Sequence, residues 1–152
     1  QMTAKIQKLT DKAYIPTKGT DGAAAYDLYV PADKVIRKGR NVIKLGIAMQ
    51  LPHSFAAEIE PRSGYSAKGF EGVTLSDTER RFDCDVIHGL IDEDYRGEVG
   101  VIVKNNDEPF IAKRGQRIAQ MIIHRIDRTT LVEVDELEES KRGAGGFGST
   151  GA

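Results

Sequence analysis

Asn41-Val42-Ile43-Lys44-Leu45-Gly46-Ile47-Ala48-Met49-Gln50-Leu51 alternates apolar with other residues through its second half and stops at Pro52. A period of two puts alternate side chains on one face, the pattern of a half-buried strand. Proline then ends the run, because it has no N–H to contribute to a ladder. Residues 55–60, 98–104, 117–126 and 130–134 read the same way, and their content of Val and Ile favours a pleated surface. Helical patterning is poor. Residues 10–13 are too few, and residues 135–141 are polar on every face. The prediction is an all-β barrel or double sheet with room for one short helix.

The chain has 152 residues, enough for one domain. At this size folding buries roughly 68–70% of the extended chain's surface, so no staple is required. Hydrophobic residues make up 39% and charged residues 30%, which excludes global disorder. Lys and Arg total 22 against 23 for Asp and Glu, a formal net charge of -1. That balance excludes the broad basic field of a nucleic-acid or membrane-surface binder, so any bound anion must be held locally. No apolar run approaches the roughly 20 residues of a membrane helix. The start, Gln1-Met2-Thr3-Ala4-Lys5, precedes no hydrophobic signal segment, and Gln1 before Met2 suggests a processed start. The expected location is cytoplasmic or nuclear, or inside a host cell if the chain is virus-encoded. The lone Cys84 reads as a small buried apolar residue rather than a nucleophile. His53, His88 and His124 lack zinc-ligand spacing and read as structural or surface residues.

Several segments carry chemistry. Pro61-Arg62-Ser63-Gly64 combines a fixed turn, a guanidinium, a hydroxyl and a glycine, which suits an anion cradle or an ordinary turn. In Gly89-Leu90-Ile91-Asp92-Glu93-Asp94-Tyr95-Arg96-Gly97, Asp92 and Asp94 share one face if the backbone is extended. That places a base to activate water, or makes an exposed acidic turn. After Lys141 the composition turns to Arg142-Gly143-Ala144-Gly145-Gly146-Phe147-Gly148-Ser149-Thr150-Gly151-Ala152. Such a stretch cannot pack a core, but its glycines allow close backbone approach, Arg142 can fork onto phosphate and Phe147 can cover a base. It reads as a mobile lid over residues 142–152, or as a frayed end. No glycine-lysine-serine/threonine run occurs, so a P-loop is not supported. Between Gly64 and Asp92 a glycine-punctuated, charged stretch reads as an elongated hairpin or surface loop near 69–83, or as an insertion that binds a protein partner.

Taken in order, Gly22-Ala23-Ala24-Ala25-Tyr26-Asp27-Leu28, the Pro61 segment, the Gly89 segment, Arg114-Gly115-Gln116-Arg117-Ile118-Ala119-Gln120-Met121 and the Arg142 tail resemble the five motifs of the trimeric dUTPases. The resemblance spans about Gly22 to Gly151. It implies a jelly-roll-type β-barrel over residues 1–141 and a homotrimer with sites at subunit interfaces. The implied reaction is hydrolysis of dUTP to dUMP and pyrophosphate, by water attack on the α-phosphorus with Mg2+ across the phosphates. Such a reaction limits uracil incorporation into DNA and supplies dUMP for thymidylate synthesis.

Within that resemblance Asp92 matches the general base and Tyr95 the ring against the deoxyribose. Main-chain groups near Gly89, Leu90, Ile91 and Gly100 match the uracil reader. Arg62, Ser63, Gly64 and Gln120 match the phosphate contacts, and Asp27 matches an acid serving the metal through water or supporting the site. In the tail, Arg142 would reach the γ-phosphate, Phe147 would stack on uracil, and Gly148, Ser149 and Thr150 would close on the terminal phosphates. Two departures stand out: Val86 replaces an Asn found in some members, and the stretch from Gly64 to Asp92 is longer than in compact cellular members. The rival readings are a dCTP deaminase or bifunctional enzyme, and a nucleotide-binding regulatory module.

Overall fold

The computed structural model describes residues 2–148. In chain order its strands begin with β1 (Lys5–Lys8), β2 (Tyr26–Tyr29), β3 (Lys34–Ile36), β4 (Gly39–Gln50) and β5 (Phe55–Glu60). After a short helix α1 (Ser63–Lys68) come β6 (Phe70–Thr74), β7 (Glu79–Phe82), β8 (Cys84–Ile87) and β9 (Gly89–Ile91). The last are β10 (Glu98–Asn105), β11 (Phe110–Ala112) and β12 (Arg117–Arg125). They form three four-stranded sheets, ordered β1-β4-β10-β8, β3-β11-β6-β7 and β2-β12-β5-β9, with antiparallel pairing throughout. The all-β expectation holds. β4 buries Ile43, Leu45, Ile47 and Met49 on the two-residue period that its sequence shows.

The β6–β7 hairpin occupies the long stretch after Gly64, and its base belongs to the core. Phe70 pairs opposite Phe82, both are buried, and Phe82 stacks on Phe110 with ring centroids 4.0 Å apart. Gly72 is required there, because a Cβ would lie 2.5 Å from the Phe110 ring. Asn105 is the one buried polar residue among those described, and it is satisfied at both ends: its Nδ2 donates to the Glu108 carbonyl and its Oδ1 accepts from the Asp107 N–H. Arg80 and the N–H groups of Asp83 and Glu108 hold the Asp107 carboxyl far below its ordinary value. Burial pushes the Cys84 thiol up to about 12, so it is an inert core residue.

One local expectation is corrected. Residues 130–134 form no strand and lie exposed, because β-propensity needs a ladder partner and no sheet edge of the same chain reaches them. In keeping with their poor helical patterning, residues 10–13 close a turn through Ala13 N–H to the Thr10 carbonyl, and residues 135–141 are not helical. The short helix forms instead at Ser63, directly after the Pro61-Arg62 turn. At six residues it is too short to show periodicity, and it ends at Gly69 with φ 99°.

Phe110→Ala is expected to remove about 3–5 kcal/mol of stability, read as a lower urea midpoint, because it empties the centre of the aromatic cluster. The Asp107 contribution is fully present above its ordinary value of 3.8 and is lost as pH falls toward the depressed native value. Arg80→Met is therefore expected to flatten the acid limb of the stability curve below about pH 4.

Candidate active site

β9 is the edge strand of its sheet, with Gly89 opposite Ile59, Leu90 opposite Glu58 and Ile91 opposite Ala57. β10 pairs with β8 only from Ile102 onward, so its first half has no ladder partner on that side. Backbone N–H and C=O groups of both strands are thereby left for a ligand or water. Between them lies a cleft of about 260 Å³ lined by Gly89, Leu90, Ile91, Asp92, Tyr95 and Gly100, among others. A register shift between Glu98 and Gly100 bends β10 at this point. Tyr95 Oη donates to the Glu98 carbonyl at 2.9 Å, while the Tyr95 N–H closes the turn onto the Asp92 carbonyl at 3.1 Å. Gly97 makes room for the ring, since a Cβ there would fall on Tyr95 Oη and Cζ. Val86 points elsewhere: it is buried on β8 opposite Val103 and lines a different recess.

A second cluster sits where β5 ends. Gln120 on β12 lies between Asp27 on β2 and Glu60 on β5, and its Nε2 donates to the Pro61 carbonyl at 3.1 Å. Arg62 Nη1 donates to the Arg117 carbonyl at 3.1 Å, and its Nε is 3.9 Å from Asp27 Oδ1. Arg117 Nη1 approaches the other Asp27 oxygen at 3.6 Å. Two guanidiniums thus face one carboxylate, a local positive excess suited to an anion. Ser63 and Gly64 open the adjacent helix and are exposed. Arg117 was missed by sequence reading, because only cross-strand pairing brings it beside Asp27.

These two clusters do not meet within one chain. Ile91 is level with Ala57 and Gln120 with Glu60, three strand residues or about 10 Å apart, and Asp92 lies farther still. The tail is separate as well. Arg142 Nε donates to the Gly145 carbonyl, and Phe147 is fully exposed, next to Gly148 with φ 79°. Ser149 and Thr150 lie outside the described residues.

A protein-built metal cage is not evident at either cluster. Among the described residues one set, Glu58, Glu60 and His88, brings ligand atoms within 4.8 Å, and it lies outside the residues that line the cleft. Asp27 has both oxygens turned to guanidiniums, so it suits an ion's water shell better than direct ligation.

A family model described as dUTPase matches residues 11–151. The chain belongs to the dUTPase family. It is 44% identical over 149 residues to deoxyuridine 5'-triphosphate nucleotidohydrolase of Arabidopsis thaliana, covering 97% of this chain and 82% of that protein. A cowpox virus protein of the same name is also 44% identical, over 97% of this chain and 92% of its own length. Among solved structures, a Staphylococcus bacteriophage 80alpha dUTPase with dUPNHPP superposes with a TM-score of 0.83 at 26% identity, covering 99% of both chains. A phage phi11 dUTPase described with a structural Mg(II) ion superposes at 0.76 over 90% of this chain and 99% of its own, at 22% identity, which shows the fold alone.

Gly97→Ala is expected to push the Tyr95 ring out of the cleft wall and weaken binding of dUPNHPP at least roughly 10-fold, with the fold unchanged by circular dichroism. Calorimetric titration of the analogue checks this.

Proposed function

We propose that this chain hydrolyses dUTP to dUMP and pyrophosphate. The observation that carries the reading is the single cleft in which two unpaired strand edges, the Asp92 carboxylate and the Tyr95 ring converge. Backbone edges from Gly89 to Ile91 and at Gly100 read uracil through hydrogen bonds. Cytosine carries a donor where uracil carries an acceptor, so it would leave buried groups unpaired. Tyr95 packs against the sugar and excludes a 2′-hydroxyl. Asp92 accepts a proton from water as that water attacks the α-phosphorus. The new bond joins the water oxygen to the α-phosphorus, the bond to the bridging oxygen breaks, and the pyrophosphate departs with the pair of electrons.

Arg62, Ser63, Gly64 and Gln120 hold the departing phosphates, and Arg117 shares the positive field. Mg2+, when bound, neutralises charge on the phosphate oxygens. Its ligands would come chiefly from the substrate, with Asp27 reaching its water shell.

The site is completed by other copies of the chain. The separation of about 10 Å or more between Asp92 and the Arg62 cluster supports this reading, because one α-phosphate cannot contact both within a chain. So does the segment after β12, where Leu131 is 94% and Leu137 87% exposed, apolar side chains without a partner in their own chain. A homotrimer lets Asp92 of one protomer face Arg62 of the next, with residues 142–152 of a third closing as the lid. In that arrangement residues 1–141 form the barrel domain, and Arg142, Phe147, Gly148, Ser149 and Thr150 form the closing contacts.

No described helix is long and apolar enough to cross a membrane. The reaction fits the cytoplasm or nucleus where deoxynucleotides are made, or a host cell if a virus encodes the chain. Within the 69–83 stretch, the exposed turn at residues 75–78 is available to a protein partner.

Pyrophosphate release from a panel of dUTP, dCTP, dTTP and UTP, with Mg2+ or chelator, tests the reading. dUTP alone is expected to turn over, and loss of the exocyclic amine from dCTP would establish a deaminase instead. Asp92→Asn is expected to keep dUPNHPP binding and slow hydrolysis roughly 10²–10⁴-fold. Truncation before Arg142 is expected to leave a mass of three chains by light scattering with poor turnover, and an unfolded product would make the tail structural.

A further inference from the structure

Glu93 follows Asp92 in the turn between β9 and β10, and both of its carboxylate oxygens are engaged. Oε2 accepts the Ser54 N–H at 3.3 Å and stands 2.9 Å from His53 Nδ1. Oε1 accepts from Arg128 Nη2 at 2.5 Å. Arg128 Nε also donates to Ser54 Oγ at 2.9 Å, so one guanidinium ties the turn between β4 and β5 to the turn that carries Asp92. Ser54 adopts φ 68°, a conformation that non-glycine residues hold only under surrounding constraint. The Arg96 guanidinium closes the same turn from the other side, donating to the Glu93 carbonyl at 2.7 Å.

We infer that Glu93 is a positioning residue for hydrolysis, clamped by Arg128 and Ser54 so that the Asp92 carboxylate is held at a fixed height above the sheet. The inference rests on the dUTP reading of the cleft. On its N-terminal side Asp92 follows Ile91, which the pairing with Ala57 anchors. On its C-terminal side the chain leaves the sheet, and the Glu93 clamp is the side-chain anchor that ties this turn to another part of the protein. Partial burial works against the charge on Glu93, yet the Ser54 N–H, His53 and Arg128 hold its carboxyl below the ordinary range, so the clamp is ionised at neutral pH. Arg128 lies three residues past the end of β12, at the root of the segment leading to the tail. The clamp therefore joins the Asp92 turn to the root of the segment that follows β12.

The test uses Glu93→Gln and Arg128→Met, singly and combined, in the full chain with dUTP and Mg2+, with dUPNHPP binding measured alongside. Arg128 is exposed, so its variant keeps the fold and stands in should Glu93→Gln misfold. Each single change is expected to lower kcat roughly 10- to 100-fold while KM and analogue affinity stay within about twofold, because the base moves and the pocket does not. The double variant is expected to be no slower than the slower single one, the signature of a shared contact. Unchanged kcat in both variants, losses that multiply in the double, or a loss carried by KM and analogue affinity would overturn the inference. Absence of dUTP hydrolysis by the unaltered chain would instead overturn the dUTP reading, and this inference with it.

Discussion

The pairing of β5 with β12 on one side and β9 on the other sets the distances on which everything else depends. Antiparallel ladders advance by about 3.3 Å per residue, and a slip of one residue would invert every side chain. With Ile91 opposite Ala57 and Gln120 opposite Glu60, the Asp92 turn and the guanidinium cluster are held at different levels of one sheet. Buried side chains on one face of that sheet, Ala57, Ile59, Ile91, Ala119 and Met121, make the register costly to change. That register sets the levels at which the Asp92 turn and the Arg62 segment leave the sheet, and side-chain contacts then fix them in place.

The two clusters use different physics. The cleft offers unpaired main-chain groups, which are placed by ladder geometry and tolerate varied side chains. The cluster at the end of β5 uses charge: Arg62 and Arg117 converge on Asp27, so an incoming anion meets donors whose mutual repulsion is already partly screened. In the proposed trimer the two would meet across a subunit boundary, which would make assembly a condition of chemistry and would cover the exposed apolar segment after β12.

The hairpin of β6 and β7 is structural at its base. Phe70 and Phe82 enter the core and Phe82 stacks on Phe110, whereas the charged outer positions are tied down in pairs such as Arg80 with Asp107 and Arg81 with Glu71. A hairpin that brings its own aromatic anchors adds core rather than loop.

Strand alternation in residues 41–51, 55–60, 98–104 and 117–126 was legible because burial on one face writes a two-residue period directly into the chain. The family was legible because its ordered motifs keep particular residue types along the chain. The six-residue helix at Ser63 was hidden, being too short to carry a period, and residues 130–134 misled because their β-propensity awaits an edge that their own chain does not supply. Cross-strand neighbours were equally hidden. Arg117 beside Asp27, Arg128 on Glu93 and Gly97 beneath Tyr95 depend on register and turn geometry, which tertiary packing alone decides. Local residue chemistry thus determined the fold class and the kind of ligand, while the distances between groups remote in the chain were decided only when the sheets closed around a common core.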